Sequence, residues 1–548
     1  MNLRFSQESL PGPPPMLGAF AHPAFAIVWT ASTCALVGIA MYDTASGWLM
    51  TTFDLDPFDV SLLHTATTLP IFLFTLPAGA IADIVDPRRM IIAVSYAIAA
   101  LMAIFAVVVL LDFASPVLLL LTTFVLSAAW SLNSPAWLSI VPQLVPKPLI
   151  PGAIAAHSVG YNLSRTIGPA LGGFIIMSYG AAAPIWIFVA ANLAVIAALT
   201  WWRGPTRQAR SSLPAERLSS ALRTGLRHTA NNRLLWATLA RTIAIYPFTA
   251  AYWGLLPLIA RRTGQGAEHY GILLSAISVG AILGSLGHEK LRRKFGADRL
   301  VEAGTILTVF ALMVFAVAQD LPISLCACLL AGMAWVNNLT CLYTSAQNVL
   351  PDWVRGRGLA VFLTVIYGTM TLCSAGWGEI AARSGLPTAL LLAAGGAIAA
   401  IPLTWRWKLQ EGAALDLSPS QHWSLPRTRE EIDNDRGPVL VKIEYRIDPK
   451  DSAAFVRALD ELGFERRRDG AFAWGIFEDA GDLGRYEEAY LIESWLELMH
   501  LRERVTNADR VLEDEIRKML IAPPRIEFLI AAERGDETRH RSAEPAGA

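Results

Sequence analysis

The sequence predicts an all-α membrane protein of twelve spanning helices in two parallel six-helix repeats, followed by a small α+β ferredoxin-like domain. Three observations predict it. The chain of 548 residues is 54% hydrophobic and only 17% charged, whereas soluble domains carry about 25% charged residues. A stretch from Gly79 to Arg89 is echoed 205 residues later from Gly284 to Lys294, with basic residues in register. After Gln410 the apolar runs cease and strand-like alternation begins.

A spanning helix needs about 20 mostly apolar residues. In chain order, after an N-terminal segment (1–23), such runs fall near 24–50, 58–82, 90–111, 116–141, 152–177 and 181–202, a first bundle within 24–203. A polar connection (204–233) leads to runs near 234–259, 268–288, 299–318, 321–347, 358–382 and 386–405, a second bundle within 234–410. The 205-residue offset pairs Trp48 with Trp253, Trp130 with Trp335, Asn133 with Asn338 and Gly173 with Gly378. Such a pattern points to duplication of a whole membrane unit.

Lys and Arg in the loops set orientation. With the N-terminus inside, twenty basic residues up to Gln410 fall on the cytoplasmic side, and only Arg261, Arg262 and Arg383 fall outside. Both termini are therefore expected in the cytoplasm, with the chain crossing the cell inner membrane many times. The first 22 residues lack the apolar core of a cleavable signal. The net charge of −1 argues against nucleic-acid binding. The five cysteines sit in apolar runs and suggest neither disulfides nor a metal site. No cofactor and no catalytic group is expected.

Twelve spans in two parallel halves, with basic loops after the second and eighth, resemble the major facilitator superfamily of secondary transporters. Gly79-x-x-x-Asp83 followed by Arg88–Arg89 looks like its 2–3 loop signature, although Ile84 and Asp86 replace the usual basic residue and glycine. Asp83–Ile84–Val85–Asp86 before Arg88–Arg89, together with Asn162-x-x-Arg165-x-x-Gly168–Pro169–Ala170–Leu171–Gly172–Gly173, is similar to the enterobactin-exporter-like, transmembrane secretion effector group. The latter segment also resembles the fifth-helix motif of drug/proton antiporters. The resemblance implies export of a small molecule, siderophore-like or amphipathic, by proton antiport and alternating access. Asp83 with Arg88 and Arg89 reads either as a charge latch that breaks when the halves rock or as plain positive-inside topology. Gly168, Gly172 and Gly173 allow close helix approach and Pro169 invites a kink, whether for gating or for packing alone.

Ionisable residues at mid-bilayer cost on the order of 2.5–3.5 kcal/mol and need a partner or a watery cavity. Arg165 lies mid-span in the fifth helix, and Asp43 in the first helix is its plausible counter-charge, as a structural ion pair or as the proton-coupling couple. His64 and His157 are the runners-up. In the superfamily the first and fourth helices of each half line the cavity, which nominates Asn133, Arg241, Asn337 and Asn338 beside Asp43; Asn162 joins them through the fifth-helix motif.

Residues 411–436 read as a linker. From 437 to 531 the pattern becomes βαββαβ, with strands at 439–447, 472–477, 487–492 and 525–530 and one long helix before the last. That order suggests a split βαβ unit, and it resembles the dimeric α/β-barrel domain of small cofactor-independent monooxygenases. The resemblance implies homodimerisation through the sheet. It leaves two readings, a cytoplasmic pairing or regulatory module, or an enzyme with His500 as its polar candidate. The rival functions for the whole chain are a membrane-anchored monooxygenase and a sensor or scaffold derived from a transporter. Residues 532–548 read as a disordered tail.

Overall fold

A computed structural model describes residues 17–53, 56–202, 204, 218–264, 266–351, 353–410, 416–418, 420, 432–433 and 435–532; the side chains of 17, 79–80, 82–84, 218–222, 224 and 502–504 are also outside the description. A one-turn helix α1 (Leu17–Phe20) precedes six long helices: α2 (Pro23–Thr52), α3 (Pro57–Ile84), α4 (Pro87–Leu110), α5 (Pro116–Ile140), α6 (Ile150–Tyr179) and α7 (Ala182–Trp201). Helix α8 (Leu218–Asn231) leads into α9 (Arg233–Thr263), α10 (Ala267–Ser285), α11 (His288–Val317), α12 (Leu321–Asn348), α13 (Arg355–Ser384) and α14 (Leu386–Thr404). Proline opens α2, α3, α4 and α5, where its missing N–H would have had no helical partner anyway. Asp86 and Ser115 accept from Arg89 N and Leu118 N and so cap α4 and α5.

Eleven of these helices are long and apolar enough to cross a membrane. The twelfth long helix, α6, has 30 residues but includes His157, Ser158, Asn162, Ser164 and Arg165. Its polarity is what a helix facing a wet interior requires. Long apolar side chains such as Ile104, Leu110, Val117 and Leu138 stay exposed on the outside of the bundle, as lipid-facing positions do.

The packing repeats with the sequence. α3 lies on α5 and α4 on α7 in the first half, and at the same offset α10 lies on α12 and α11 on α14. The repeat breaks at the second basic motif. Arg88 and Arg89 open α4 directly, whereas Arg292–Lys294 lie on a separate segment of α11 bounded by Gly287 (φ 79°) and by a kink at Gly296 (φ 82°). Both φ values lie in the region that favours glycine.

By internal contacts the described chain forms two units, one holding both helical halves and the other holding the C-terminal domain together with Leu222–Trp236 and Val349–Gly358. The C-terminal domain comprises β1 (Val439–Arg446), α15 (Ser452–Asp469), β2 (Ala473–Glu478), β3 (Arg485–Ile492), α16 (Trp495–Arg504), α17 (Asn507–Lys518) and β4 (Arg525–Ile530). Its four strands are all antiparallel in the order β2-β3-β1-β4, the arrangement of a split βαβ unit. Strict alternation along β1 and β3 puts Val441, Ile443, Tyr445, Tyr486 and Tyr490 under α15. The expected single helix before β4 is two. Thr506 accepts from Asp509 N while Asp509 accepts from Thr506 N, a capping box that starts α17 afresh.

Candidate functional site

The site is built on α6. Pro169 has no N–H, so the helical ladder opens there, and the next amide, Ala170 N, donates to Ser275 Oγ of α10 at 3.1 Å across the two halves. The flanking glycines bring backbones together. A Cβ at Gly168 would lie 2.6 Å from Ala40 Cβ, and one at Gly172 3.0 Å from Met41 Cα, both on α2. A Cβ at Gly173 would lie 2.8 Å from both Ala267 O and Glu268 Cα of α10. Gly271 of α10 meets the Pro169 carbonyl in turn.

The 205-residue offset carries Gly173 onto Gly378, and that glycine packs on Ser61 and Phe58 of α3. On this second seam Thr371 Oγ1 donates to Thr68 Oγ1 at 2.8 Å, and Ser374 Oγ to Ser61 O at 3.4 Å. Arg261 reaches Thr51 O at 3.3 Å. These joints lie between the helix midpoints and the end of the bundle bearing the α2–α3 connection. The halves are thus sealed at the end away from residues 204 and 404.

Asp43 is exposed although its neighbours Tyr42 and Thr44 on α2 are fully buried. Because α2 packs against α6, α7 and α10, that exposure is to an internal space. The Asp43 charge acts on Arg165 of α6 and Tyr270 of α10. The expected ion pair is not formed among the described contacts. Arg165 donates instead to Tyr161 Oη at 3.2 Å and lies 5.8 Å from the Tyr161 ring centre, while its charge also acts on Tyr367 of α13. An acid, a guanidinium and three phenols from α2, α6, α10 and α13 therefore converge at mid-span.

The other expected residues go elsewhere. Arg241, only 1% exposed, is not in the cavity. Its Nε donates to Trp407 O at 2.7 Å and its Nη2 pairs with Asp298 at 3.0 Å, binding α9 to α11 and to the chain leaving α14. Asn337 is committed to Leu300 O at 2.6 Å. Asn133 and Asn338 are buried with Oδ1 unpartnered at equivalent points of the two halves. Asn162 is exposed and bonds Ser158 O of its own helix. Arg88 donates to Leu199 O at 2.8 Å and braces α7, Arg89 is exposed, and Gly79 and the side chain of Asp83, the acid of the expected latch, lie outside the described side chains. His500 is half-buried on α16.

One further cluster enters the sequence-based set through His64 alone. His64 of α3 lies parallel to Trp253 of α9 with ring centres 6.2 Å apart, and Trp253 meets Trp335 of α12 edge-on at 5.7 Å. The repeat pairing of Trp253 with Trp48 and of Trp335 with Trp130 was the signal that could have drawn attention to it. Among the described residues no cluster of acidic, histidine or cysteine side chains could hold a metal.

The sequence profile of the transmembrane secretion effectors, a branch of the major facilitators, matches residues 15–536. The chain belongs to that family. This secretion effector is similar to the multidrug efflux pump Tap of Mycolicibacterium fortuitum, with 26% identity over 67% of this chain and 91% of the pump. It is similar to the staphyloferrin A transporter of Staphylococcus aureus, with 23% identity over 58% of this chain and 79% of that one. The enterobactin exporter EntS of Salmonella typhi shares 24% identity over 61% of this chain and 80% of the exporter. In fold the secretion effector matches a bacterial homologue of the lysosomal transporter Spinster, with a TM-score of 0.55 and 15% identity over 70% of this chain and 96% of that one. It also matches a POT family peptide transporter, with a TM-score of 0.58 and 12% identity over 75% of this chain and 99% of that one. The secretion effector is a membrane transporter, as its sequence predicts.

Proposed function

We propose that this transporter exports a small amphipathic or siderophore-like compound across a bacterial inner membrane in exchange for protons. The relatives that are named as efflux pumps and siderophore transporters support the direction and the substrate class. The positive-inside count supports cytoplasmic termini, so the sealed end of the bundle faces outward and the internal space opens to the cytoplasm. Alternating access follows from rocking one half against the other over the two glycine seams.

The observation that carries the coupling is Asp43, a lone carboxyl reaching an internal space beside a guanidinium that is bonded elsewhere. A carboxyl alternates between protonated and charged forms as access changes, and Arg165 favours the charged form when it swings near. Export of one substrate would then draw on the uptake of a proton at Asp43. The C-terminal domain acts in this reading as a pairing or regulatory module, with homodimerisation through its sheet. The test is efflux from energised cells with and without an uncoupler. Asp43→Asn is expected to abolish gradient-driven efflux and to spare downhill exchange of substrate. Gradient-driven efflux at the parent rate in Asp43→Asn removes the proton-carrier role.

A further inference from the structure

The aromatic side chains of this bundle divide into two kinds. Trp29 donates its Nε1–H to Ala156 O at 2.9 Å, Trp377 donates to Pro247 O at 2.7 Å, and Tyr42 shares a hydrogen bond with Thr123 at 2.9 Å. These are packing aromatics with their polar ends satisfied, as burial demands. Around Trp253 the rule fails. The hydroxyl of Tyr246 and Nε2 of His64 are buried without a partner, and the Trp253 indole has beside it only the hydroxyl of its own chain neighbour Tyr252.

The three groups belong to one lattice. Trp335 meets Trp253 and Tyr246 edge-on, with ring centres 5.7 Å and 5.5 Å away. His64 stands parallel to Trp253, 7° from coplanar, and comes from the other half of the molecule. Trp253, Trp335 and His64 are each only half-buried, whereas Tyr246 is fully buried against Trp335; the His64–Trp253 contact joins the two halves, so the open faces of these three turn inward. Unpartnered polar atoms in an interior flanked by lipid are costly to keep, and phenylalanine would pack as well. Their retention side by side at the seam of the halves points to a partner that arrives from outside the chain.

From this geometry we propose that the Trp253–Trp335–Tyr246–His64 lattice is a binding subsite for a planar aromatic ring carrying hydrogen-bonding groups at its edge. The proposal deepens the exporter reading and rests on it. Indole and phenol faces take a flat π system by stacking or edge contact. Trp253 Nε1–H can only donate, so the ring must present an acceptor there; Tyr246 and a neutral His64 can donate or accept, so a hydroxyl, amine or carbonyl suits them. The lattice contains no ionised side chain. A charge on the substrate is therefore read separately, by Asp43 or Arg165, and the ring subsite discriminates by shape and edge chemistry.

The test compares two cations of equal charge, ethidium, which is planar and aromatic with edge amines, and dodecyltrimethylammonium, which is aliphatic. Binding to the purified full-length protein in detergent is measured by calorimetry. Trp253→Leu is expected to weaken ethidium about tenfold, and Tyr246→Phe, which keeps the ring and removes one oxygen, about threefold. Trp253→Phe is expected to recover part of the loss. Dodecyltrimethylammonium affinity is expected to stay within about twofold in every variant. Equal losses for both cations, an unchanged ethidium affinity in Trp253→Leu and Tyr246→Phe, or a wild-type protein that fails to bind ethidium would each overturn the subsite. Ethidium binding that depends on Trp253 without any ethidium efflux would overturn export and leave the subsite standing; efflux indifferent to Trp253→Leu would do the reverse.

Discussion

A buried charge is informative only together with its partners, and two carboxyls of the C-terminal domain show the contrast. Glu488, fully buried in β3, accepts from Tyr445 Oη at 2.7 Å and Trp474 Nε1 at 2.9 Å and faces Arg466 at 3.4 Å. Glu465 on α15 has one carboxyl oxygen buried without a partner. Burial, followed by the nearby Asp509 charge, pushes its pKa up to about 8 from the usual 4.5. Such a group holds more protons folded than unfolded between those values, so stability falls as pH rises from 4.5 to 8. Glu465→Gln is expected to stabilise the domain at pH 8.5 by on the order of 1–2 kcal/mol and to do little near pH 4.5. A pH series of thermal unfolding, followed by a fluorophore on the domain of the full-length protein, checks both limits. Arg241 makes the complementary point. Its place on the seventh span was readable from the sequence, and the superfamily resemblance, in which the first helix of each half lines the cavity, suggested a cavity residue. Its partners were not readable, because Asp298 and the Trp407 carbonyl approach from helices distant in sequence. Arg241→Met is expected to lower Tm by several degrees, in line with the roughly 3–5 kcal/mol cost of breaking a buried pair, while sparing the affinity for substrate; a matched loss of affinity would return Arg241 to the cavity.

Between helices, the repeat gives the fold its logic. Periodic apolar runs and loop charges revealed twelve spans and their pairing, since each rests on local composition. They could not reveal that Gly173 and Gly378 serve the same purpose, because each is defined by what lies opposite, Ala267 and Glu268 for one, Ser61 and Phe58 for the other. The fifth-helix motif was legible as close packing and a kink. Its division into a face against α2 (Gly168, Gly172) and a face across the halves (Gly173) was not. Helix breaks were missed for a related reason. The kink at Gly296 and the start of α17 at Thr506 interrupt otherwise helical patterns through one φ angle and one capping box. The seam makes a prediction at this scale. Gly271→Val inserts a side chain against the Pro169 carbonyl and is expected to pry α6 from α10 at the sealed end. Cysteines at Ala170 and Ser275 should then cross-link in the parent and fail to do so in the variant, and efflux should fall at least tenfold, since a bundle that cannot close on that side cannot complete the cycle.

Across the whole molecule, the C-terminal domain expected at 437–531 draws in segments that precede it in the chain. It forms one unit with α8, the start of α9 and Val349–Gly358. Glu493, just after β3, accepts from Arg227 at 2.7 Å and Arg223 at 3.3 Å, and Arg227 also donates to Gly470 O at 2.7 Å. Arg233 lies 3.8 Å from the centre of the Phe464 ring, and Asn232 donates to Val349 O at 3.1 Å. The arginines between the two bundles were legible as positive-inside charge, which hid that two of them are bound by a carboxyl some 270 residues onward. Helix α9 continues without a break from Arg233 to Thr263. Burial would raise the Glu493 pKa, but hydrogen bonds from Arg227 and Arg223 hold its carboxyl below the usual range. The clasp is therefore fully charged above pH 4.5 and fades as pH falls below it. Glu493→Arg reverses the sign of the contact and is expected to release α8, raising amide exchange across Leu218–Asn231 at least tenfold while exchange in β1 and β3 stays unchanged. A double variant, Glu493→Arg with Arg227→Glu, restores opposite charges and should recover most of the protection. Unchanged exchange in α8 with Glu493→Arg would mean that the other contacts of α8 and Arg233, those to Gly470 O and to the Phe464 ring among them, hold this unit together without the clasp.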